Sequence, residues 1–494
     1  MNAALTCAQE WVVDLTEADV HLRDSLRCEK GLLQVGVSMH GRRDGKKAID
    51  FACQSDRAPR CLVRETTGRR QYHNVQRSMK RFEATAQRHA AARFAHVTSI
   101  YKFVRLTRPH AWWKSGVFLV MAAPAVHAQG SLRLTGSMDA GIAYVSDAGG
   151  TAGAHSAWQI KNGDVNISRW ILTGEDPITN DLNAIMTLTN GFSVMTGAAA
   201  QQGRLFGFQS FVGLSSRSKG TLTLGRQFDA VVQYVEPFAL GGTTYGGTAF
   251  AHPFDNDNLD NYTRTNNAVK YSSPDIHGLA FGGTYGFSNK PGAFSDSREY
   301  SVGASYHLGE MRVGAGYFQF NHASNLATAN TDGAEPAGAP FNADRQRTYA
   351  AGGNYRLTRA TLGLVLSETR LDNATSINNV ADTAIKLPHD AVRFDNIEVN
   401  VRYFVTPKWH ISAAYVFTYG RFDTPAGTRY PKWHQVGLLN TYFLSQRSDV
   451  YGEVIYQRAN ELEGTGIHGA QISNFPRASG SNQLVAAIGL RHRF

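Results

Sequence analysis

From Ser131 onward, apolar and polar residues alternate with a period of two, as strands do when their two faces meet different surroundings. In the last segment Leu484, Ala486, Ile488, Leu490 and Phe494 share one face, with His492 a polar exception, while Val485, Ala487, Gly489, Arg491 and Arg493 share the other. Leu279, Phe281, Tyr285 and Phe287 likewise oppose Ala280, Gly282, Thr284 and Ser288. Tyr300, Val302, Ala304, Tyr306 and Leu308 oppose Ser301, Gly303, Ser305 and His307, and Ile397, Val399, Val401 and Tyr403 oppose Glu398, Asn400 and Arg402. About sixteen such segments begin near residues 132, 167, 182, 204, 221, 267, 278, 299, 311, 345, 360, 396, 409, 433, 449 and 483. Each is near the ~10 residues that a tilted membrane strand needs.

The connections alternate in length. Tight turns at 308–311, 357–359 and 405–408 alternate with long polar loops such as 321–344, 372–395 and 460–482, the construction of outer-membrane barrels. Arg133, Glu398, Arg402 and Glu453 all fall opposite the apolar residues. An Arg facing lipid at the bilayer midplane costs on the order of 2–4 kcal/mol, so the charged face is expected to line water. An open sheet edge in hydrocarbon would strand backbone donors and acceptors, so the first and last strands are expected to pair. Aromatic residues near strand ends (Tyr144, Trp170, Tyr271, Tyr355, Trp409, Tyr419, Trp433 and Phe494) suit the two interfacial girdles. The expected fold is therefore all-β: a 16-stranded antiparallel transmembrane β-barrel over residues 129–494 that works as a water-filled diffusion pore. A soluble sandwich or lipocalin-like barrel shares the alternation, but it buries its apolar face in a core and seldom needs so many segments.

Charge and cysteine divide the chain in two. Residues 1–128 hold 21 of the 50 Lys and Arg but 11 of the 40 Asp and Glu, which leaves 29 of each sign in the remainder. The net charge of +10 thus belongs to the front of the chain and gives no reason to expect nucleic-acid binding by the barrel. Cys7, Cys28, Cys53 and Cys61 also lie in the front part, with no C-x-x-C spacing that would suggest zinc. At the boundary, Lys114 precedes an apolar run at 116–126, and Val126 and Ala128 occupy the −3 and −1 positions of a cleavage site before Gln129. Such a cation, short apolar core and small-x-small ending make a secretory signal peptide, assigned to 106–128. Residues 1–105 are read as a basic extension, disordered or outside the translated product, with translation starting near Val104 or Leu106.

Several stretches resemble the Gram-negative trimeric general porins, in particular their β-proteobacterial branch. They are 134–141 (Leu-Thr-Gly-Ser-Met-Asp-Ala-Gly), Ser168-Arg169-Trp170 with Gly174-Glu175-Asp176, 203–207, 211–214, 223–229 (Thr-Leu-Gly-Arg-Gln-Phe-Asp), 255–261 (Asp-Asn-Asp-Asn-Leu-Asp-Asn), 269–274 and 285–289. The resemblance covers nearly all of 131–494 and implies a homotrimer in outer-membrane lipid, with an inward-folded third loop that narrows the pore. The connection 229–267 is the candidate loop. By the same resemblance, acidic loop residues (Asp229, Glu236, Asp255, Asp257) face a basic wall (Arg169, Arg204, Lys270). Parity with Trp170 and Leu172 turned to lipid puts Arg169 in the lumen, Lys270 follows if Val269 and Tyr271 face outward, and Arg204 is placed inward with Phe206, Phe208 and Ser210. Phe208 and Thr173 replace basic residues of the family pattern, so the eyelet is expected to carry less positive charge and more apolar surface.

No Walker loop, H-E-x-x-H, G-x-S-x-G elbow or paired-cysteine metal set is present, so the reading is not an enzyme and includes no cofactor or metal. The expected function is passive diffusion of small hydrophilic solutes and ions through the outer membrane of a Gram-negative bacterium. A substrate-selective channel on the same scaffold is the alternative, and a barrel adhesin or enzyme the more remote one. Mass spectrometry of the native protein is expected to find no abundant peptide from residues 1–95.

Overall fold

In this computed structural model the described residues are 23–29, 32–39, 47–54, 60–64, 130–149, 152–292, 294–321, 333–334, 340–378 and 384–494. The expected signal peptide and its cleavage point at Ala128 and Gln129 lie outside them. The chain divides into two compact units, Met1–Met121 and Ala122–Phe494. In the first, Arg23–Glu29, Leu32–Met39, Lys47–Gln54 and Arg60–Arg64 form an antiparallel four-stranded meander, which has no counterpart in the sequence reading.

The second unit is a closed barrel. Its sixteen spanning strands are β1 (Ser131–Val145), β2 (Arg169–Pro177), β3 (Leu182–Gly191), β4 (Gln209–Ser216), β5 (Gly220–Gln227), β6 (Thr265–Ser272), β7 (Leu279–Gly286) and β8 (Arg298–Leu308). They continue as β9 (Met311–Asn321), β10 (Arg345–Arg356), β11 (Ala360–Ile377), β12 (Ile385–Thr406), β13 (Trp409–Thr424), β14 (Lys432–Phe443), β15 (Ser448–Asn460) and β16 (Asn482–Arg493). Short strands Ala157–Asn162, Phe341–Asn342 and Gly427–Arg429 extend the sheet at the long-loop rim. β16 pairs antiparallel with β1 from Val485↔Val145 to Arg493↔Ser137. Gly136 and Phe494 exchange both backbone hydrogen bonds at 3.0 Å, so the final residue completes the seam and both ends of the barrel lie on the short-turn side.

The alternation is translated directly into geometry. Leu132, Leu134, Met138 and Ile142 of β1 and Ile488 and Leu490 of β16 are exposed on the outside, as are Leu362, Leu364 and Leu366 of β11 and Ile397, Val399 and Tyr403 of β12. Asp139, Glu398, Glu453 and Arg491 point inward and are buried.

Burial of those inward charges qualifies the expected wet lumen. Much of the interior is packed by loops. Phe341, Leu371, Phe394, Phe422 and Trp433 form one apolar core with Ile467 of the last long loop. Val145, Val165, Leu240, Phe250, Leu439 and Phe475 form another. Trp433, assigned to an interfacial girdle, is 1% exposed and faces this interior, because it shares parity with Gln435 and Leu439 while Val436, Leu438 and Tyr442 face out. Two strand starts also differ. β12 begins at Ile385, above the expected membrane-crossing portion. β4 begins at Gln209, because 200–203 turn into a short helix.

A Cβ at Gly136 would lie 2.5 Å from both the Arg169 carbonyl oxygen and the Phe494 ring. Overpacking of this kind costs about 1–3 kcal/mol. Gly136→Val is expected to lower the urea midpoint of the detergent-folded protein; an unaltered midpoint would count against the tight seam.

Candidate functional site

The third long loop, residues 228–264 between β5 and β6, folds into the barrel. It opens with helix α1 (Ala230–Tyr234), whose free N–H groups at Val231 and Val232 donate to Asp229 Oδ1 at 2.6 and 3.1 Å, the usual role of Asp at a helix start. Glycines on β8 and β9 let this helix lie flat on the wall. A Cβ at Gly303 would come within 2.7 Å of the Tyr234 ring, and one at Gly314 within 2.3 Å of the Tyr234 carbonyl.

Beyond the helix the loop is fastened to the opposite wall. Glu398 Oε1 accepts from the Leu240 N–H at 2.8 Å, and Asn400 Nδ2 donates to the Phe238 carbonyl at 2.8 Å. Arg402 Nη2 donates to the Ala239 carbonyl at 2.9 Å, and Gln435 Nε2 to the Ala251 carbonyl at 3.1 Å. At the centre lies His252, 2% exposed. Its Nδ1 is 2.6 Å from Asp257 Oδ2 and its Nε2 3.0 Å from Glu398 Oε2. Burial alone would push this imidazole down, but the carboxylates of Asp257 and Glu398 overcome it and raise the pKa to about 10. His252 is therefore a cation that donates from both ring nitrogens. Asp257 resists burial in the same way, is held below the usual carboxylate range by His252, and accepts from the Ser367 hydroxyl of β11.

On the β2–β4 side, charged groups of the loop and the wall come together. Arg169 of β2 and Arg264, the last loop residue before β6, bring their guanidinium carbons to 5.6 and 4.3 Å from the Phe208 ring centroid. Facing them, Glu236 lies within electrostatic reach of Arg169. Arg264 Nη2 donates to Asn261 Oδ1 at 3.2 Å, and Asn261 Nδ2 donates to Glu236 Oε1 at 3.1 Å. Asp255 accepts from the Asp260 and Tyr262 N–H groups at 2.8 and 3.0 Å, and Asp260 from the Gly242 N–H at 2.8 Å. Burial and the neighbouring Asp257 raise Asp255 to about 7. Burial, with Asp255 close by, raises Asp260, and burial, with Asp260 and Asp255 close by, raises Glu236. Burial draws Arg264 down to about 10, so it stays charged at neutral pH.

These positions sort the expected site residues. Arg169 is on the inner wall, and Glu236 and Asp255 lie within electrostatic reach of Arg264 beside it. Asp229 and Asp257 instead hold loop backbone and the His252 cation. Lys270 faces inward as its parity required, but its Nζ donates to the Phe228 carbonyl at 2.8 Å and so fixes the root of the loop. The parity placement of Arg204 is corrected. Residues 204–208 precede β4, whose even positions Val212 and Leu214 face lipid. Arg204 caps the short helix at Ala200–Gly203. Phe208 is inward, though for another reason. Freed from the strand, it tucks beneath the two arginines and is 2% exposed, so it adds little apolar surface to the lumen. Thr173 shares the inward parity of Arg169, with its hydroxyl 3.5 Å from the Arg133 carbonyl. The sequence reading did not single out His252 or Arg264 as wall, latch or constriction groups. Only the basic residue immediately before β6 offered a signal, for Arg264. Glu398 is 146 residues from His252, beyond any local pattern.

The Gram-negative porin family model matches residues 116–462. The chain belongs to the Gram-negative porin family. It is 29% identical over 407 residues to an outer membrane porin protein of Bordetella pertussis, covering 75% of this chain and 96% of that protein. It is 23% identical over 385 residues to outer membrane porin protein 32 of Delftia acidovorans, covering 76% and 97%. Among solved structures, the anion-selective porin from Comamonas acidovorans has the same fold with a TM-score of 0.57 at 21% identity, covering 74% of this chain and all of that one. This porin is an outer-membrane channel.

The His252 latch fixes a pH window. Its folded pKa stands above the ordinary 6.5, so its stabilisation is complete below about 6.5 and is lost as pH rises through about 10. Removing the cation strands two buried carboxylates, a loss on the order of 3–5 kcal/mol. His252→Leu is expected to lower the melting temperature at pH 6 and to bring the loop within reach of protease, while the gap to the parent closes as pH approaches 11. A constant gap from pH 6 to 11 would contradict the ionised latch.

Proposed function

We propose that this porin assembles as a homotrimer and passes small hydrophilic solutes and ions passively, each barrel screening them in a transverse field. The observation that carries this reading is the charged cluster inside the barrel, with the guanidinium groups of Arg169 and Arg264 beside Phe208 and Glu236, Asp255 and Asp260 of the inward-folded loop within electrostatic reach of them. Charges facing one another across a narrow, low-dielectric lumen orient dipolar solutes and bias which ions enter. Two features weight that field toward anions. Arg264, at about 10, keeps its charge, whereas Asp255, raised to about 7, is partly protonated near neutrality, and burial raises Glu236 and Asp260 as well. A solved relative is named an anion-selective porin, and another solved neighbour, OmpT of Vibrio cholerae, is described in a trimer form. Transport of this kind uses no cofactor and no energy source beyond the solute gradient.

Planar-bilayer recording tests the reading. Purified protein is expected to give large ohmic steps in threes and a reversal potential of anion-preferring sign in a salt gradient. Arg169→Ala is expected to move that potential toward cations, and an unmoved value would remove Arg169 from the selective wall. Raising the pH from 5 to 8.5 ionises Asp255 as it passes about 7, so the potential should drift toward cations. That drift should shrink in Asp255→Asn.

A further inference from the structure

A second constellation lies below the constriction, at the short-turn end of the lumen. Phe404 near the end of β12, His410 near the start of β13 and Phe443 at the end of β14 are inward residues of neighbouring strands. Phe404 and His410 are register partners. Their rings form a row, with centroids 5.5 Å apart from Phe404 to His410 and 5.4 Å from His410 to Phe443. Tyr245, at the tip of the third loop, closes the upper edge at 5.3 Å from His410 and 6.3 Å from Phe404. Cations flank the row at both ends. The Arg402 guanidinium carbon is 4.9 Å from the Tyr245 ring centroid, and that of Arg493 is 6.0 Å from Phe443.

Three properties separate this surface from ordinary wall packing. Phe404, Phe443 and Tyr245 are only half-buried, so part of each ring remains accessible. His410 is 1% exposed, and neither ring nitrogen has a hydrogen-bond partner among the described residues. Such a group is costly unless something polar reaches it. Guanidinium groups are also incompletely satisfied. Arg491 and Arg493 share the carboxylate of Asp449, with Asp139 within electrostatic reach of Arg491, while Arg402, within reach of Glu398, donates to loop carbonyls and has an unpartnered Nε.

We propose that this row is a binding subsite for planar aromatic carboxylates, which dwell there on their way through the pore. Stacking on the Phe and Tyr faces takes the ring. The guanidinium groups at the two ends take the carboxylate, by the charge-assisted hydrogen bonds Arg makes best. Aliphatic acids of equal charge would meet the same cations but gain less from the ring faces. This rests on the pore reading above and names one solute class for it.

The test uses the purified full-length protein in planar bilayers with benzoate, cyclohexanecarboxylate and acetate as probes, each block expressed relative to the same channel's step in chloride. Benzoate is expected to reduce the current saturably, with a half-blocking concentration about three- to tenfold below that of cyclohexanecarboxylate, and acetate to block least. Phe404→Leu and Phe443→Leu should each raise the benzoate value toward the cyclohexanecarboxylate one, and Arg493→Gln should raise both together. Equal block by benzoate and cyclohexanecarboxylate in the unmodified channel overturns the subsite alone, as does a benzoate preference that survives both Phe substitutions. Absence of ohmic steps in chloride overturns the pore and the subsite together.

Discussion

Hydrocarbon offers no partner to a backbone N–H or C=O, and the barrel is organised around that fact. A sheet crossing a bilayer must close, since every unpaired group at an open edge costs several kcal/mol. Here closure is made by β1 and β16, down to the reciprocal bonds of Gly136 and Phe494. Once the cylinder is closed, period-two alternation leaves one face for lipid and one for the interior, and the interior has to be filled or wetted. Here loops fill much of it with apolar cores, and a cluster of charged groups stands on the β2–β4 side.

The third loop shows how an inward fold is held where water is scarce. Its backbone cannot join the ladder, so wall side chains supply the partners: Glu398, Asn400, Arg402 and Gln435 each meet a main-chain group of the loop. The His252 cation between Asp257 and Glu398 allows two carboxylates to be buried without mutual repulsion. The acidic loop residues differ in their surroundings. Asp257 and Asp229 hold the His252 cation and loop backbone, and Glu236 and Asp260 also lie within electrostatic reach of Arg264. Their sequence neighbourhoods do not distinguish them.

The fold was largely legible because alternation is local. A residue's face follows from its distance to the next apolar neighbour, and β8, β12 and β16 carry the faces their patterns require. The same logic failed where the chain leaves the ladder. Arg204 and Phe208 seemed to continue β4, yet a short helix interrupts the count, and Phe208 reaches the lumen as a loop residue. Trp433 was expected in an interfacial girdle, but its parity with Gln435 and Leu439 turns it onto an aromatic core inside the barrel. Arg169 could be placed correctly because it lies within an unbroken strand.

What the sequence determined by itself was the cylinder: strand number, the lipid-facing residues, the alternation of turns and loops, and the pairing of first strand with last. These follow from short-range periodicity and from the demand that backbone groups be paired in lipid. What only the tertiary structure decided was the interior: which acids latch the loop and which lie near the arginines, that Arg264 joins Arg169 over Phe208, and that Phe404, His410 and Phe443 form a row. The partners in those groups are strands and loops distant in the chain. Their meeting depends on barrel curvature and loop path, and no local pattern records either.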